Sequence, residues 1–140
     1  MIAWCHGAPG IGLARVASAA FINDGTIHAE IKAALSTTLA HGFGRNHSLC
    51  HGDMGNLEVL LVATQRLPQA QAYKEHVKHL SSILLESMEG QEWVTGVPLG
   101  IETPGLMIGI AGIGYALLRL VAPEQVPSVL LLDPPPHFAS

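Results

Sequence analysis

The sequence predicts an all-α chain, an array of helical hairpins with about five helices and a short C-terminal tail. Three observations carry that expectation. Apolar residues make up 49% of the 140 residues but aromatic residues only 5%, so Leu, Ile, Val and Ala must build the core. That mixture suits packed helices better than sheets, which favour β-branched and aromatic side chains. Apolar positions recur at helical spacing through most of the chain. A Gly-x-x-Gly core followed by an apolar run appears three times, at His6-Gly7-Ala8-Pro9-Gly10-Ile11, at His51-Gly52-Asp53-Met54-Gly55-Asn56-Leu57 and at Gly109-Ile110-Ala111-Gly112-Ile113.

Taken in order, residues 10–22 read as a first helix with Ile11, Leu13, Val16 and Ala20 on a broad apolar face. Asn23-Asp24-Gly25 is a turn, and Asp24 or Thr26 caps a second helix that runs to about His41. Gly42 and Gly44 end it. Residues 42–53 are a polar loop. A short apolar helix follows over 55–67, with Asp53 as its cap. Pro68 opens the most amphipathic helix, in which Tyr73, Val77, Leu80, Leu84 and Met88 lie opposite Lys74, Lys78 and Glu86. Residues 89–104 form a Gly- and Pro-rich loop, 105–121 a last helix that contains the third Gly-x-x-Gly, and Val126–Leu132 an extended tail stopped by Pro134-Pro135-Pro136.

Composition excludes several classes. Charged residues are 13% and the mean hydropathy is +0.35, the opposite of a disordered chain. The net charge is −4 and the seven Lys and Arg are scattered, which argues against a nucleic-acid partner. The uncharged stretch Thr103–Leu118 is shorter than the ~20 residues of a spanning helix and is broken by Pro104 and four glycines, so no membrane span is expected. The N-terminus carries neither the basic nor the apolar region of a secretory signal, and a cytoplasmic, reducing location is the expectation.

Two cysteines stand against eight histidines. Cys50 and His51 are adjacent, an arrangement that converges on one ion from a loop but not from a helix or strand. Cys5 occupies the equivalent loop of the first repeat. If the two loops meet, Cys5, Cys50 and His51 form a three-ligand zinc site with an open fourth position, the catalytic rather than the structural pattern. Buried thiols or a disulfide are the alternatives on these residues alone.

Trp4-Cys5-His6-Gly7-Ala8-Pro9-Gly10-Ile11-Gly12 resembles the first zinc motif of the lanthipeptide cyclases, and Asn46-His47-Ser48-Leu49-Cys50-His51-Gly52-Asp53-Met54-Gly55-Asn56 resembles the second. Pro104-Gly105-Leu106-Met107, Gly109–Tyr115 and Val126-Pro127-Ser128-Val129-Leu130 are similar to the C-terminal end of the class II, LanM-type lanthionine synthetases. The motifs arrive in the family's order and cover essentially the whole chain. The resemblance implies part of an α/α toroid, a zinc ion on Cys5, Cys50 and His51, and addition of a peptide cysteine thiol to dehydroalanine or dehydrobutyrine to give (methyl)lanthionine.

It also implies that residues 1–140 are the C-terminal segment of a LanC-like cyclase domain, without the upstream toroid and dehydratase domain. The family's acid/base histidine, with its aspartate, lies in that upstream part. The expected partners are a dehydrated precursor peptide and the missing upstream segment or a second chain. Within the chain, His6 is the candidate substitute proton donor, with support of the metal ligands or an ordinary loop histidine as its alternatives. His47 reads as a loop histidine with solvent or backbone partners, with orientation of Cys50 or His51 as the functional alternative. His28, His76 and His79 read as surface residues, and Trp4 and Trp93 as packing residues. Two further readings stand beside the cyclase: a catalytically incomplete zinc-binding or interaction module, and a metal-free helical scaffold.

Overall fold

The computed structural model describes residues 1–90 and 93–135. Among them the chain is all-α, with helices α1 (Ala8–Ser18), α2 (Gly25–His41), α3 (Asp53–Arg66), α4 (Ala70–Gly90) and α5 (Ile110–Val121) and a single 3-10 turn at Pro98–Gly100. The only β feature there is an isolated bridge between Ala3 and His6.

Each boundary has a local cause. Pro9 sits in the first turn of α1, where its missing N–H costs nothing. The Asp24 carboxylate caps α2 by accepting the Ile27 N–H at 2.9 Å, as its position before the apolar run predicts. Gly42 ends α2 in a right-handed conformation, and the left-handed turn falls two residues later, at Gly44 with φ 92°.

Several boundaries differ from expectation. Helix α1 spans Ala8–Ser18 rather than 10–22, and α4 begins at Ala70, two residues after Pro68. Helix α3 begins at Asp53, with Gly52 as its N-cap, so Asp53 does not cap it. Its carboxylate reaches back instead to the N–H groups of Gly44 (3.0 Å) and Arg45 (3.2 Å) and fastens the preceding loop. Helix α5 starts at Ile110, because Gly109 is its N-cap and residues 106–108 form a turn. The tail is not extended: residues 129–132 form a turn folded back on α5, and Pro136 lies outside the described residues.

Helices α1 and α2 form one hairpin and α3 and α4 a second, while α3 packs on all four other helices. Its first eleven residues, 53–63, are therefore buried on every side. Leu57, Val59, Leu60 and Val62 meet Leu13 and Val16 of α1, Ile31 and Leu35 of α2, Leu84 and Met88 of α4, and Ile113 and Ala116 of α5 in one core cluster. Each fully buried Leu, Ile or Val there contributes about 1.5–3 kcal/mol.

The three Gly-x-x-Gly copies superpose in role. Gly7, Gly52 and Gly109 are the N-caps of α1, α3 and α5. Gly10, Gly55 and Gly112 lie one turn in, each pressed against the carbonyl of the residue six positions earlier: Trp4, Leu49 and Leu106. The equivalent turn residues are then strung together, with the Cys5 N–H donating to the Cys50 carbonyl (3.2 Å) and the Cys50 N–H to the Met107 carbonyl (2.8 Å). Three helix starts are thereby gathered at one place.

Candidate metal centre

That gathering decides where the two cysteines go. Cys5 and Cys50 are equivalent residues of neighbouring turns, joined through their backbones. Cys5 Sγ, Cys50 Sγ and a ring nitrogen of His51 all lie within 4.8 Å of one another. Both cysteines are free thiols, Cys5 exposed and Cys50 half-buried. The disulfide reading is thus not realised, and the two loops do converge.

The donor set fits a soft or borderline cation. Two thiols and an imidazole are ligands that zinc takes and that calcium or magnesium do not. Without a cation the Cys50 thiol resists ionisation: burial, its hydrogen bond with Cys5 and the proximity of that second thiol push it from about 9.0 up to about 11. A coordinated divalent cation reverses that preference, because it takes coordinating thiols in their deprotonated form. The His51 ring is already oriented. Its Nε2 lies 3.0 Å from the Gly96 carbonyl oxygen, which can only accept, so Nε2 carries the hydrogen and Nδ1 keeps its lone pair.

His6 follows Cys5 and is exposed, and it is not a member of the three-donor cluster. His47 is buried and touches neither Cys50 nor His51 through a hydrogen bond. Its Nδ1 accepts the Val94 N–H at 3.0 Å, the backbone partner expected, and its Nε2 lies 3.2 Å from Ser87 Oγ, where solvent was the alternative. His28, His76 and His79 are exposed, as their helical positions imply. Trp4 packs on the core and Trp93 is partly exposed. The connector at 93–96, which braces the second turn, carries no spacing signal that the sequence reading could have used.

Burial lowers the pKa of His47 below its ordinary 6.5, against an opposing pull from Asp53. The sign follows from linkage: the folded state holds this ring neutral, so its contribution is complete above about pH 6.5 and is lost as pH falls through the depressed value. Protonation also replaces the Nδ1 acceptor with a donor and breaks the Val94 bond. The melting temperature should therefore fall between pH 7.5 and 5.5, and His47→Asn should flatten that slope. Parallel slopes in both proteins would remove His47 as the cause.

Comparison with known proteins follows the same line. The lacticin 481/lactococcin biosynthesis protein LcnDR2 of Lactococcus lactis subsp. lactis is 27% identical over an alignment of 140 positions that covers 91% of this chain and 15% of that protein. The chain thus spans about 15% of the length of this curated relative. No solved structure matches the chain. No helix among the described residues is long and apolar enough to cross a membrane. The family model described as lanthionine synthetase C-like protein matches residues 2–131, the span that carries all three turns and the Cys5, Cys50 and His51 cluster, and the chain belongs to that family.

Proposed function

We propose that this chain is the zinc-holding part of a lanthipeptide cyclase, which adds a cysteine thiol of a dehydrated precursor peptide to dehydroalanine or dehydrobutyrine. The observation that carries the reading is the convergence of Cys5, Cys50 and His51 within 4.8 Å at the starts of two equivalent helices. Zinc held by these three residues would supply an open fourth position where a substrate thiol is bound as its thiolate. Cys5 and Cys50, as thiolates, would offset the two charges of the cation and leave a further thiolate electron-rich. The addition makes a C–S bond at the β-carbon, moves the double-bond electrons into an enolate and ends when a proton reaches the α-carbon. His6, exposed beside Cys5, is the chain's own candidate donor.

On this reading residues 1–140 are the C-terminal segment of the cyclase domain, and other acid/base groups come from sequence outside that segment. The chain works in a reducing cytoplasm, where its two thiols stay available. A second reading is a zinc-binding module without turnover of its own.

Elemental analysis of the purified chain, with Cys5→Ala and Cys50→Ala beside it, tests the first step. The expected result is about one zinc per chain, lost in both variants. Zinc retained in both would sink the site. Thioether formation on a dehydrated peptide, read by loss of alkylatable thiol, then separates the cyclase from the module.

A further inference from the structure

The geometry points to Gly96 as a positioning residue of the metal centre: its backbone carbonyl fixes the His51 imidazole in the Nε2–H tautomer and presents Nδ1 as the ligand. This inference rests on the zinc reading above and adds a residue from outside both cysteine turns.

Four observations meet at Gly96. Its carbonyl accepts the His51 Nε2–H at 3.0 Å. Its own N–H donates to the Ile108 carbonyl at 2.7 Å, in the third of the equivalent turns. The carbonyl is thus held on a peptide anchored to the turn next to Cys50, whose N–H bonds the adjacent Met107 carbonyl. Two residues earlier, Val94 grips the second turn in both directions: its N–H reaches His47 Nδ1 at 3.0 Å and its carbonyl accepts the His47 N–H at 2.8 Å. Lastly, a side chain has no room here. A Cβ at position 96 would stand 2.9 Å from both Cε1 and Nε2 of His51 and 2.7 Å from Ser48 Oγ.

These facts give the glycine a reason that its φ does not. Its backbone is not left-handed, so conformational freedom is not the requirement. The requirement is close approach: the connector must lie flat against the His51 ring for its carbonyl to reach Nε2. A metal-bound histidine commonly donates its second ring N–H to a carbonyl or carboxylate, and loss of that partner costs about 10–100-fold in metal affinity. Alanine at 96 pushes directly on the ring, whose backbone is fixed in the turn, and swings Nδ1 away from the two sulfurs.

The test uses the full chain with zinc as the probe, in competition with a chromophoric chelator. Gly96→Ala is expected to weaken zinc about 10–100-fold while its far-UV circular dichroism stays that of the wild type. Long-range 1H–15N spectra of the zinc-free chain supply a readout that a loosened loop would not reproduce. The His51 signal, assigned by its absence in His51→Asn, should report the Nε2–H tautomer in the wild type and a tautomer mixture in Gly96→Ala. The pair is completed in the His51→Cys background, where no imidazole remains to be oriented. There Gly96→Ala should change zinc affinity less than about threefold, since residues in direct contact couple and the ring through which Gly96 acts is gone. An equal loss in both backgrounds, or wild-type affinity and tautomer in Gly96→Ala, would overturn the inference and leave the zinc reading standing. A wild-type chain that binds no zinc would overturn both.

Discussion

Arg119→Ala is expected to destabilise the chain by about 3–5 kcal/mol, a large fraction of the stability of an ordinary domain. The guanidinium is 2% exposed and pairs with a Glu58 carboxylate that is equally sealed, at 3.0 Å through Nη2 and 3.1 Å through Nε. Truncation leaves a carboxylate in the centre of α3 with no cation, surrounded by the core. It also strands two backbone acceptors, because Nη1 donates at 2.6 Å to the carbonyls of Pro123 and Val126. Those two bonds and the Tyr115 hydroxyl, which donates to Pro127 and accepts from Val129 at 2.8 Å each, hold the tail against α5. Urea unfolding measures the loss, and a change below about 1 kcal/mol would show the pair to be solvated and the argument wrong.

The double variant Glu58→Leu/Arg119→Met separates the two contributions. Replacing a buried ion pair by apolar residues is often neutral. Recovery here should be partial, because the carbonyls of Pro123 and Val126 stay unpaired in either case. The contrast with Arg66 is instructive. Its bond to Asp133 is short, at 2.6 Å, but both side chains are about one-third exposed. An exposed pair contributes about 0–1 kcal/mol, so Arg66→Ala serves as the weak control for tail anchoring.

How much of this was legible in the sequence follows from what each feature depends on. The helices were readable because apolar spacing and capping residues are local, as with Ile27, Ile31 and Leu35 behind the Asp24 cap. The three-donor cluster was readable from the repeat: equivalent residues in equivalent turns end up side by side, and that placed Cys5 next to Cys50. Asp53 was misread because a carboxylate just before an apolar run looks like a cap, whereas the glycine before it supplies the cap and frees the side chain for Gly44 and Arg45. The tail was misread for a different reason. Apolar residues at 129–131 imitate a strand, and only Tyr115 and Arg119, from another element, fold them into a turn. Arg119 and Gly96 were invisible on the same ground: a lone arginine in a helix and a glycine in a glycine-rich loop take their meaning from partners 61 and 45 residues away.

Gly55→Ala should be the second large effect, and it should destroy the metal site along with stability. In an unobstructed helix this exchange is favourable, by about 0.5–1 kcal/mol. Gly114 in α5 meets that condition, since a Cβ there would face open space, and Gly114→Ala should stabilise accordingly. At Gly55 the same methyl group would fall well inside contact distance of the Leu49 carbonyl oxygen and carbon, backbone atoms that no rotamer change can move. Either α3 or the turn must retreat. Helix α3 is buried against all four other helices, so the turn is the part that yields. Overpacking of this kind costs about 1–3 kcal/mol and occasionally more, and with the propensity gain subtracted the net loss should be about 1–2 kcal/mol. The retreating residue is the one that precedes Cys50. Its displacement drags the Cys50 sulfur and the His51 ring out of register with Cys5, which belongs to a different turn and stays behind. Zinc binding should therefore fall at least tenfold in Gly55→Ala under conditions where the variant remains folded by circular dichroism. Full zinc occupancy with lowered stability would mean that the turn and the helix move together, and that the glycine serves packing alone.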